Sequence, residues 1–184
     1  MTAMPDQWIR EMAKHHKMIA HCADLRRRSG RISYGISSYG YDFRLANEYR
    51  VPEFAGDKNL DPKRAEKLKF RDHRGSFCWM PPNSFILGRS LEYFHIPRDI
   101  IVICQGKSTY ARSGIIVNVT PLEPEWEGFI TISLVNAAPA AVKVYSGEGI
   151  GQAVFIRAES ECEVSYADCK GKYQAQQEIH LSKV

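Results

Sequence analysis

The chain has 184 residues and a formal net charge of +4, with 44% hydrophobic and 25% charged residues. This length fits one ordinary domain with a sizeable core, and the composition is that of a globular protein in solution. No apolar run approaches the ~20 residues of a membrane span, and the N-terminus lacks the apolar core of a signal peptide. We therefore expect a cytoplasmic protein with no membrane partner.

The first predicted element is an amphipathic helix within MPDQWIREMAKHHKMI. Trp8, Ile9, Met12 and Ile19 recur near helical spacing, which places apolar side chains on one helix face. Asp6 precedes the apolar residues and is available as the N-cap, a position that favours aspartate. The sequence therefore predicts that the chain begins with one surface helix packed on a core.

The basic, histidine and cysteine residues near and beyond this helix form no recognisable binding pattern. The run RRRSGR at 26–31 lacks interleaved aromatic residues, so it predicts a solvated loop and no nucleic-acid partner. The cysteines are odd in number and lack a CxxC pair, which predicts reduced and mostly buried thiols, and adjacent histidines make a poor metal site. These residues are Cys22, Cys78, Cys104, Cys162 and Cys169, with His15, His16 and His21.

Short apolar stretches separated by Gly, Pro, Asn and Asp fill the remainder of the chain, for example DIIVICQG, GIIVNVTP and GFITISLVN. Their spacing of roughly 8 to 12 residues predicts an all-β barrel, sandwich or jelly roll. The charged segment 56–75 predicts a surface insertion with one helical turn. Because no period repeats and no linker divides the chain, residues 1–184 are predicted to form a single domain.

The stretch IVICQGKSTY at 101–110 contains Gly-Lys-Ser, which also ends a phosphate-binding P-loop. The P-loop requires a glycine where this chain has Ile101, and a helix after the lysine, where a single turn is the most that fits. Lys107, Ser108, Thr109 and Arg112 still supply two cations and two hydroxyls, a suitable set for a triphosphate. These residues alone do not distinguish a phosphate site from an ordinary polar loop at the end of a strand.

The block GKSTYARSGIIVNVTPLEPEWEGFITISLVNAAPAAVKVYSGEGIGQAVF closely resembles the dCTP deaminase family of the trimeric dUTPase-like superfamily. The likeness extends to PDQWIREMA, SYGISSYGYDFRL, PPNSFILGRSLEYFHIPRDI and SYADCKGKYQAQ, in order over nearly the whole chain. The resemblance implies a distorted jelly roll, or dUTPase-like β-barrel, with an N-terminal helix. It also implies a homotrimer with nucleotide sites between subunits.

The resemblance further implies an activity and its ligands. Family members hydrolyse the 4-amino group of dCTP to give dUTP and ammonia, with Mg²⁺ bound through the triphosphate and without zinc. The sequence agrees with the last point, because it lacks the H-x-E and P-C-x-x-C ligands of zinc deaminases. Some relatives cleave the triphosphate to dUMP and pyrophosphate, and dTTP is a possible inhibitor.

The matched motifs imply the site residues one by one. Lys107, Ser108 and Arg112 should contact the triphosphate and the reacting end of the site, and a C-terminal segment, 165–184, should close over the phosphates. The implied nucleotide-binding residues are Lys107, Ser108, Thr109, Tyr110, Ala111 and Arg112 in the loop, Thr131, Ile132 and Ser133 in a strand, Gln152, and Tyr166, Lys172 and Gln176 in the C-terminal segment.

The segment VNVTPLEPEWEG would form the wall that faces base and sugar, through backbone groups that read the pyrimidine edge. Glu123 matches the place where dUTPase relatives carry the aspartate that orients the attacking water. Trp126 is interpreted as a core or interface residue rather than one that stacks on the base.

Ser133 departs from the family pattern. Strand alternation in GFITISLVN places Phe129, Thr131 and Ser133 on one face, where the family has a glutamate at the Ser133 position as the general base. A serine hydroxyl stays protonated at neutral pH, and losing a general base removes ~10²- to 10⁴-fold in rate. The predicted catalytic residues are therefore Ser108, Arg112, Glu123 and the altered Ser133.

Three interpretations remain open at this point. Another carboxylate, with Glu123 the nearest by motif, has taken over water activation in a dCTP deaminase. Alternatively, the chain binds or hydrolyses a deoxynucleoside triphosphate without deaminating it, as a dUTPase-like hydrolase or a silent nucleotide-binding module. In the third, the serine is a substitution confined to this sequence.

Overall fold

The computed structural model describes residues 1–24, 29–54 and 59–183, and only the backbone of 65–67. Within these residues the chain is mainly β, with two α-helices, α1 (Asp6–His15) and α2 (Ser108–Ala111), and a 3-10 helix, Pro62–Lys67. The strands are β1 (Thr2–Ala3), β2 (Ile19–Ala20), β3 (Gly35–Ser37), β4 (Gly40–Glu53), β5 (Lys69–Arg74), β6 (Phe77–Met80), β7 (Ser84–His95), β8 (Ile100–Gly106), β9 (Ile115–Asn118), β10 (Glu127–Asn136), β11 (Val142–Tyr145) and β12 (Gly149–Arg157).

Ten of these strands form one antiparallel sheet with the order β1-β12-β4-β7-β10-β9. Strand β4 is 14 residues long and contributes to both halves of the sheet. Its first half pairs with β12 through Asp42 and Gln152, and its second half pairs with β5 and β7. Strand β8 extends the sheet on the far side of β12, and β6 pairs with β11 as a separate ribbon. The mainly β prediction with an N-terminal helix is confirmed.

The core lies between the curled halves of the sheet and contains large aromatic side chains. Tyr41, Phe43, Phe94 and Phe155 are fully buried, and the ring of Phe94 meets those of Tyr41 and Phe43 edge to face. Strand β10 alternates as the sequence predicts. Its core face holds Ile130, Ile132 and Leu134, and its opposite face holds Phe129, Thr131, Ser133 and Val135.

Helix α1 differs from the prediction at both of its ends. Pro5 occupies the N-cap without a side-chain hydrogen bond, and Asp6 is the first helical residue, so the predicted Asp6 cap is wrong. In the first turn the Asp6 carboxylate still faces the positive end of the helix dipole. The helix ends at His15, and Ile19 instead belongs to β2, which pairs with β7.

The charged segment 56–75 contains a strand that the sequence did not indicate. Residues 69–74 form β5, which pairs with β4 at the edge of the sheet. An edge strand is held by backbone bonds to one neighbour, so its side chains can be charged on both faces. The predicted helical turn is confirmed by the 3-10 helix. Residues 26–28 of the basic run and 56–58 of this segment lie outside the described residues.

The cysteines are free thiols, but they are less buried than expected. Cys78 is buried in the core, whereas Cys22, Cys104 and Cys162 are partly exposed and Cys169 is exposed. Among the described residues, no helix is long and apolar enough to cross a membrane.

Candidate active site

A cleft of about 700 Å³ opens between the loop after β9, strand β10 and the C-terminal segment. Apolar groups and backbone form much of its wall, with few ionisable side chains, which is typical of a ligand site. The lining residues are Ile101, Val119, Thr120, Pro121, Leu122, Glu123, Pro124, Trp126, Ile130, Thr131, Tyr166, Tyr173, Gln176, His180, Leu181 and Ser182.

The loop that carries Glu123 is anchored on both sides by backbone hydrogen bonds. Leu122 and Val102 exchange both of their N–H···O bonds, at 2.9 and 3.0 Å. Glu125 has a positive φ of 60° and donates its N–H to Ile96 O, and Trp126 is buried with its indole N–H donated to Tyr173 O. The interpretation of Trp126 as a core residue is confirmed. Glu123 itself remains exposed at the cleft, between two fixed points.

The C-terminal segment reaches the cleft through Gln176, which is 3% exposed. The Gln176 amide donates to Phe129 O and to Thr131 Oγ1, and Phe129 N–H donates to Gln176 O at 2.8 Å. Gly128 allows this approach, since an added Cβ would lie 2.9 Å from Gln176 N and the glycine has a φ of 147°. The segment is therefore held to β10 by backbone and side chain together.

Arg98 joins the Glu123 loop to the start of the C-terminal segment. Its guanidinium donates to Glu125 at 2.7 Å, to Asp168 at 2.8 Å and to Glu163 O at 3.0 Å. The backbone N–H of Ser165 and then the Arg98 guanidinium lower the pKa of the Asp168 carboxyl. Arg98 therefore ties together two elements that line the cleft.

Glu123 and His180 are the acid–base groups other than tyrosine that the cleft exposes among the described residues. Burial, and then the nearby charge of Lys183, lower the pKa of His180. A lowered pKa favours the neutral form of His180 at pH 7. An exposed carboxylate beside an apolar cleft can accept a proton from a water molecule, which suits Glu123 to a general base.

The predicted phosphate loop forms a separate region after β8. Helix α2 is a single turn, as expected, and Tyr110 is buried beneath it with its hydroxyl accepting the Tyr145 N–H. Ser108, Thr109, Ala111 and Arg112 are exposed. Lys107 turns inward and forms an ion pair with Asp42 at 2.6 Å.

Four of the sequence-predicted residues, Glu123, Thr131, Tyr166 and Gln176, lie together in the cleft. The side chains of Tyr110 and Ile132 belong to the core, so these two can serve a site only through their backbone. Lys172 is exposed and donates to Lys183 O, away from the cleft lining. Ser133 lies two residues beyond Thr131 on the same face of β10, outside the lining. Gln152 donates to Ser37 and Asp42.

Sequence reasoning missed His180, Tyr173 and Asp42. His180 and Tyr173 reach the cleft because the C-terminal segment folds back, and no local pattern signals that. Asp42 stands within the quoted SYGYDFRL motif, but its partners Lys107 and Gln152 are distant in sequence. Within the described residues, no group of three His, Cys, Asp or Glu side chains could hold a metal ion.

The curled antiparallel sheet is similar to that of a solved structure. The crystal structure of 2'-deoxycytidine 5'-triphosphate deaminase from Agrobacterium tumefaciens superposes with a TM-score of 0.64 over 84% of this chain and 47% of that chain, at 15% identity. This likeness shows that the chain has the fold of that structure, of which it spans about half the length.

Sequence comparison is more specific. A dCTP deaminase-like family model matches residues 3–158. Relatives named dCTP deaminase from Granulibacter bethesdensis and Paramagnetospirillum magneticum are 52% and 51% identical, each over 184 residues and 100% of both chains. The chain therefore belongs to the dCTP deaminase-like family.

Proposed function

We propose that this protein is an enzyme that hydrolyses the 4-amino group of dCTP, giving dUTP and ammonia for pyrimidine deoxynucleotide synthesis. The observation that carries the proposal is the identity of about 50% to relatives named dCTP deaminase over the full length of both chains. The cleft supports it, since its size and wall suit a nucleoside. The enzyme would act in the cytoplasm, which holds the dCTP pool.

The reaction needs a group that activates water. Water adds to C4 of the cytosine ring, and one of its protons goes to N3 of the ring and the other to the amino group. The C4–N bond then breaks, which releases ammonia and leaves a carbonyl at C4. Ser133 cannot accept the first proton, because its hydroxyl is not basic at neutral pH. Glu123 is the carboxylate that lines the cleft, and we assign it the role of general base.

Thr131 and Gln176 would bind the base rather than react. The Gln176 amide donates to Phe129 O and Thr131 Oγ1, and thereby fixes the orientation of its own carbonyl. A buried polar site of this kind discriminates between ring substituents, since a mismatched group leaves a partner unpaired at a cost of about 1 to 3 kcal/mol. Tyr166 and His180 close the same wall.

The phosphate loop and Glu123 are far apart within one chain, which supports a site shared between copies. Leu122 pairs with Val102 of β8, and Lys107 directly follows the end of that strand, five residues beyond Val102. At about 3.3 Å per residue this separates Glu123 from Lys107 by roughly 17 Å or more. Ser108 and Arg112 of one copy would therefore serve the cleft of another, in the homotrimer that the family resemblance implies.

Mg²⁺ would enter with the nucleotide. Among the described residues, Glu123 is the single carboxylate in the lining of the cleft, and Mg²⁺ prefers six oxygen ligands. The triphosphate and water would therefore supply most of the coordination. Arg112, exposed on the loop, would hold phosphate oxygens with its planar fork of donors. Binding of dTTP at the same site would inhibit the enzyme by competition.

A second candidate function is a dUTPase-like hydrolase that releases pyrophosphate from dUTP. The observation that favours it is that Glu123, which matches the dUTPase aspartate, lines the cleft, whereas Ser133 lies outside the lining. The deciding assay incubates the purified protein and Ser133→Glu with dCTP or dUTP and Mg²⁺. Ammonia and dUTP from dCTP support the deaminase, and dUMP with pyrophosphate supports the hydrolase.

Two other results of this assay are informative. A rise in melting temperature with dCTP or dTTP but no turnover would identify a silent nucleotide-binding module and contradict the proposal. Deamination gained by orders of magnitude only in Ser133→Glu would show that the scaffold is a deaminase without its base, and would exclude Glu123 from that role.

A further inference from the structure

Asp42 is a buried carboxylate near the start of strand β4, and it is 7% exposed. It lies in register with Gly35 of β3 on one side and with Gln152 of β12 on the other. Because strands flank it on both sides, its backbone is fixed by the sheet. A buried carboxylate must be paired or hydrogen-bonded, so its partners show what it holds.

Both oxygens of the Asp42 carboxylate accept hydrogen bonds from residues that the sequence predicts to bind the nucleotide. Oδ2 accepts from Lys107 Nζ at 2.6 Å, and Oδ1 accepts from Gln152 Nε2 at 3.1 Å. Gln152 also donates to Ser37 Oγ at 2.9 Å. The side chains of Lys107 and Asp42 are only 13% and 11% exposed. The lysine charge is therefore directed into the sheet and away from solvent.

Lys107 is also the residue that starts the phosphate loop. Its N–H donates to Ile150 O, and its carbonyl accepts the N–H groups of Tyr110 and Ala111, which closes the single turn of α2. Its side chain crosses Gly149, where an added Cβ would lie 3.0 Å from Lys107 Cδ. Holding this side chain at Asp42 therefore fixes the first residue of the turn that presents Ser108 and Arg112.

We propose that Asp42 is a positioning residue for the phosphate loop, and that Lys107 anchors the loop to Asp42 while Ser108 and Arg112 contact the phosphates. The inference rests on the proposed function for the identity of the ligand. It adds an anchoring role for Lys107 to the phosphate contact that the family resemblance implies. Gln152, which donates to the same carboxylate, lies beside this anchor.

The test is a double-mutant cycle with Asp42→Asn, Lys107→Gln and both changes together. Each variant is measured for dCTP and dCMP binding by calorimetry and for kcat and KM. We expect each single change to weaken dCTP binding roughly tenfold, a size typical of coupling between contacting residues, and the double variant to lose no more than either. The loss for dCMP should be smaller, since dCMP lacks the outer phosphates that the loop would contact, whereas general unfolding would weaken both ligands equally.

Asp72→Asn is the matched control, because this carboxylate is 81% exposed and pairs with Arg50 at 3.4 Å. It should leave dCTP and dCMP binding unchanged. The proposal would be overturned if Asp42→Asn bound dCTP as tightly as the unchanged protein, or more tightly. If Lys107 grips phosphate independently, removing its competitor would leave dCTP binding equal or tighter, and the losses of the two single variants would not overlap.

The same measurements separate this inference from the proposed function. A protein that binds dCTP without releasing ammonia would contradict the deaminase proposal alone, since the binding cycle still measures the coupling of Asp42 and Lys107. A protein that binds neither dCTP nor dCMP would overturn both. A deaminase in which the two single losses multiply in the double variant would overturn only the positioning role.

Discussion

The cleft around Glu123 and the phosphate loop around Lys107 are held together by different means. The cleft is assembled from segments far apart in the chain, through backbone pairs at Leu122 and Gln176 and the guanidinium of Arg98. The loop is one helical turn fixed by a buried aromatic ring, Tyr110, and one ion pair, that of Lys107.

This difference indicates how the two regions should respond to change. The cleft has many weak supports, so a single substitution should loosen it locally and by a modest amount. The phosphate loop has few supports, so loss of either Asp42 or Lys107 should displace it strongly. In the proposed function the chemistry would be divided in the same way, with the carboxylate of Glu123 in the cleft and the exposed cation Arg112 on the loop.

The largest expected effect is at Glu123, the proposed general base. Replacing Glu123 with Gln keeps the size of the side chain but removes the proton acceptor, so kcat for dCTP should fall by ~10²- to 10⁴-fold with little change in KM. Ammonia release under saturating dCTP measures this. Glu159→Gln, at a carboxylate that is 92% exposed, is the control and should retain full activity. Equal activity of Glu123→Gln and the wild type would remove the cleft carboxylate from the mechanism.

On the loop, Arg112→Gln should raise KM for dCTP roughly tenfold to a hundredfold, because a charge-assisted hydrogen bond to phosphate contributes about 1.5 to 3 kcal/mol. Affinity for deoxycytidine, which has no phosphates, should not change. Arg10→Gln on helix α1 is the matched control. A similar loss of deoxycytidine binding would show that Arg112 supports the fold and does not grip phosphate.

Within the cleft, Gln176→Leu should release the C-terminal segment by about 1 to 2 kcal/mol, since it removes the two hydrogen bonds that the amide donates. Hydrogen exchange of the backbone amides at Phe129 and His180 should accelerate accordingly. Gln177→Leu, at the exposed neighbouring position, should have no such effect. If both variants exchange alike, the segment is held by contacts other than this amide.

The smallest expected effect is acid loosening at Asp168. Its folded-state pKa lies below the ordinary value of about 3.9, so its contribution to docking is fully present above that value and is lost as the pH falls through the folded pKa. Limited proteolysis of the C-terminal segment should therefore accelerate below about pH 4. Asp168→Asn should be cleaved faster at neutral pH and respond less to acid. An unchanged acid response would point to another carboxylate.

Local sequence patterns predicted much of the fold. Alternation in GFITISLVN correctly predicted the two faces of β10, and the glycine and β-branched residues after α2 limited that helix to one turn. Strand β5 was missed because both of its faces are charged, and only pairing with β4 makes it a strand. The Asp6 cap was wrong because Pro5 takes the N-cap position.

The sequence by itself determined the β class, the family and the residue types available for chemistry, including the serine at 133, because these depend on neighbours in the chain or on ordered motifs. Only the tertiary structure decided that Glu123, Gln176 and His180 share a cleft and that Lys107 forms an ion pair with Asp42. Such contacts join residues 50 or more positions apart, and their energy comes from burial and pairing that no local segment contains.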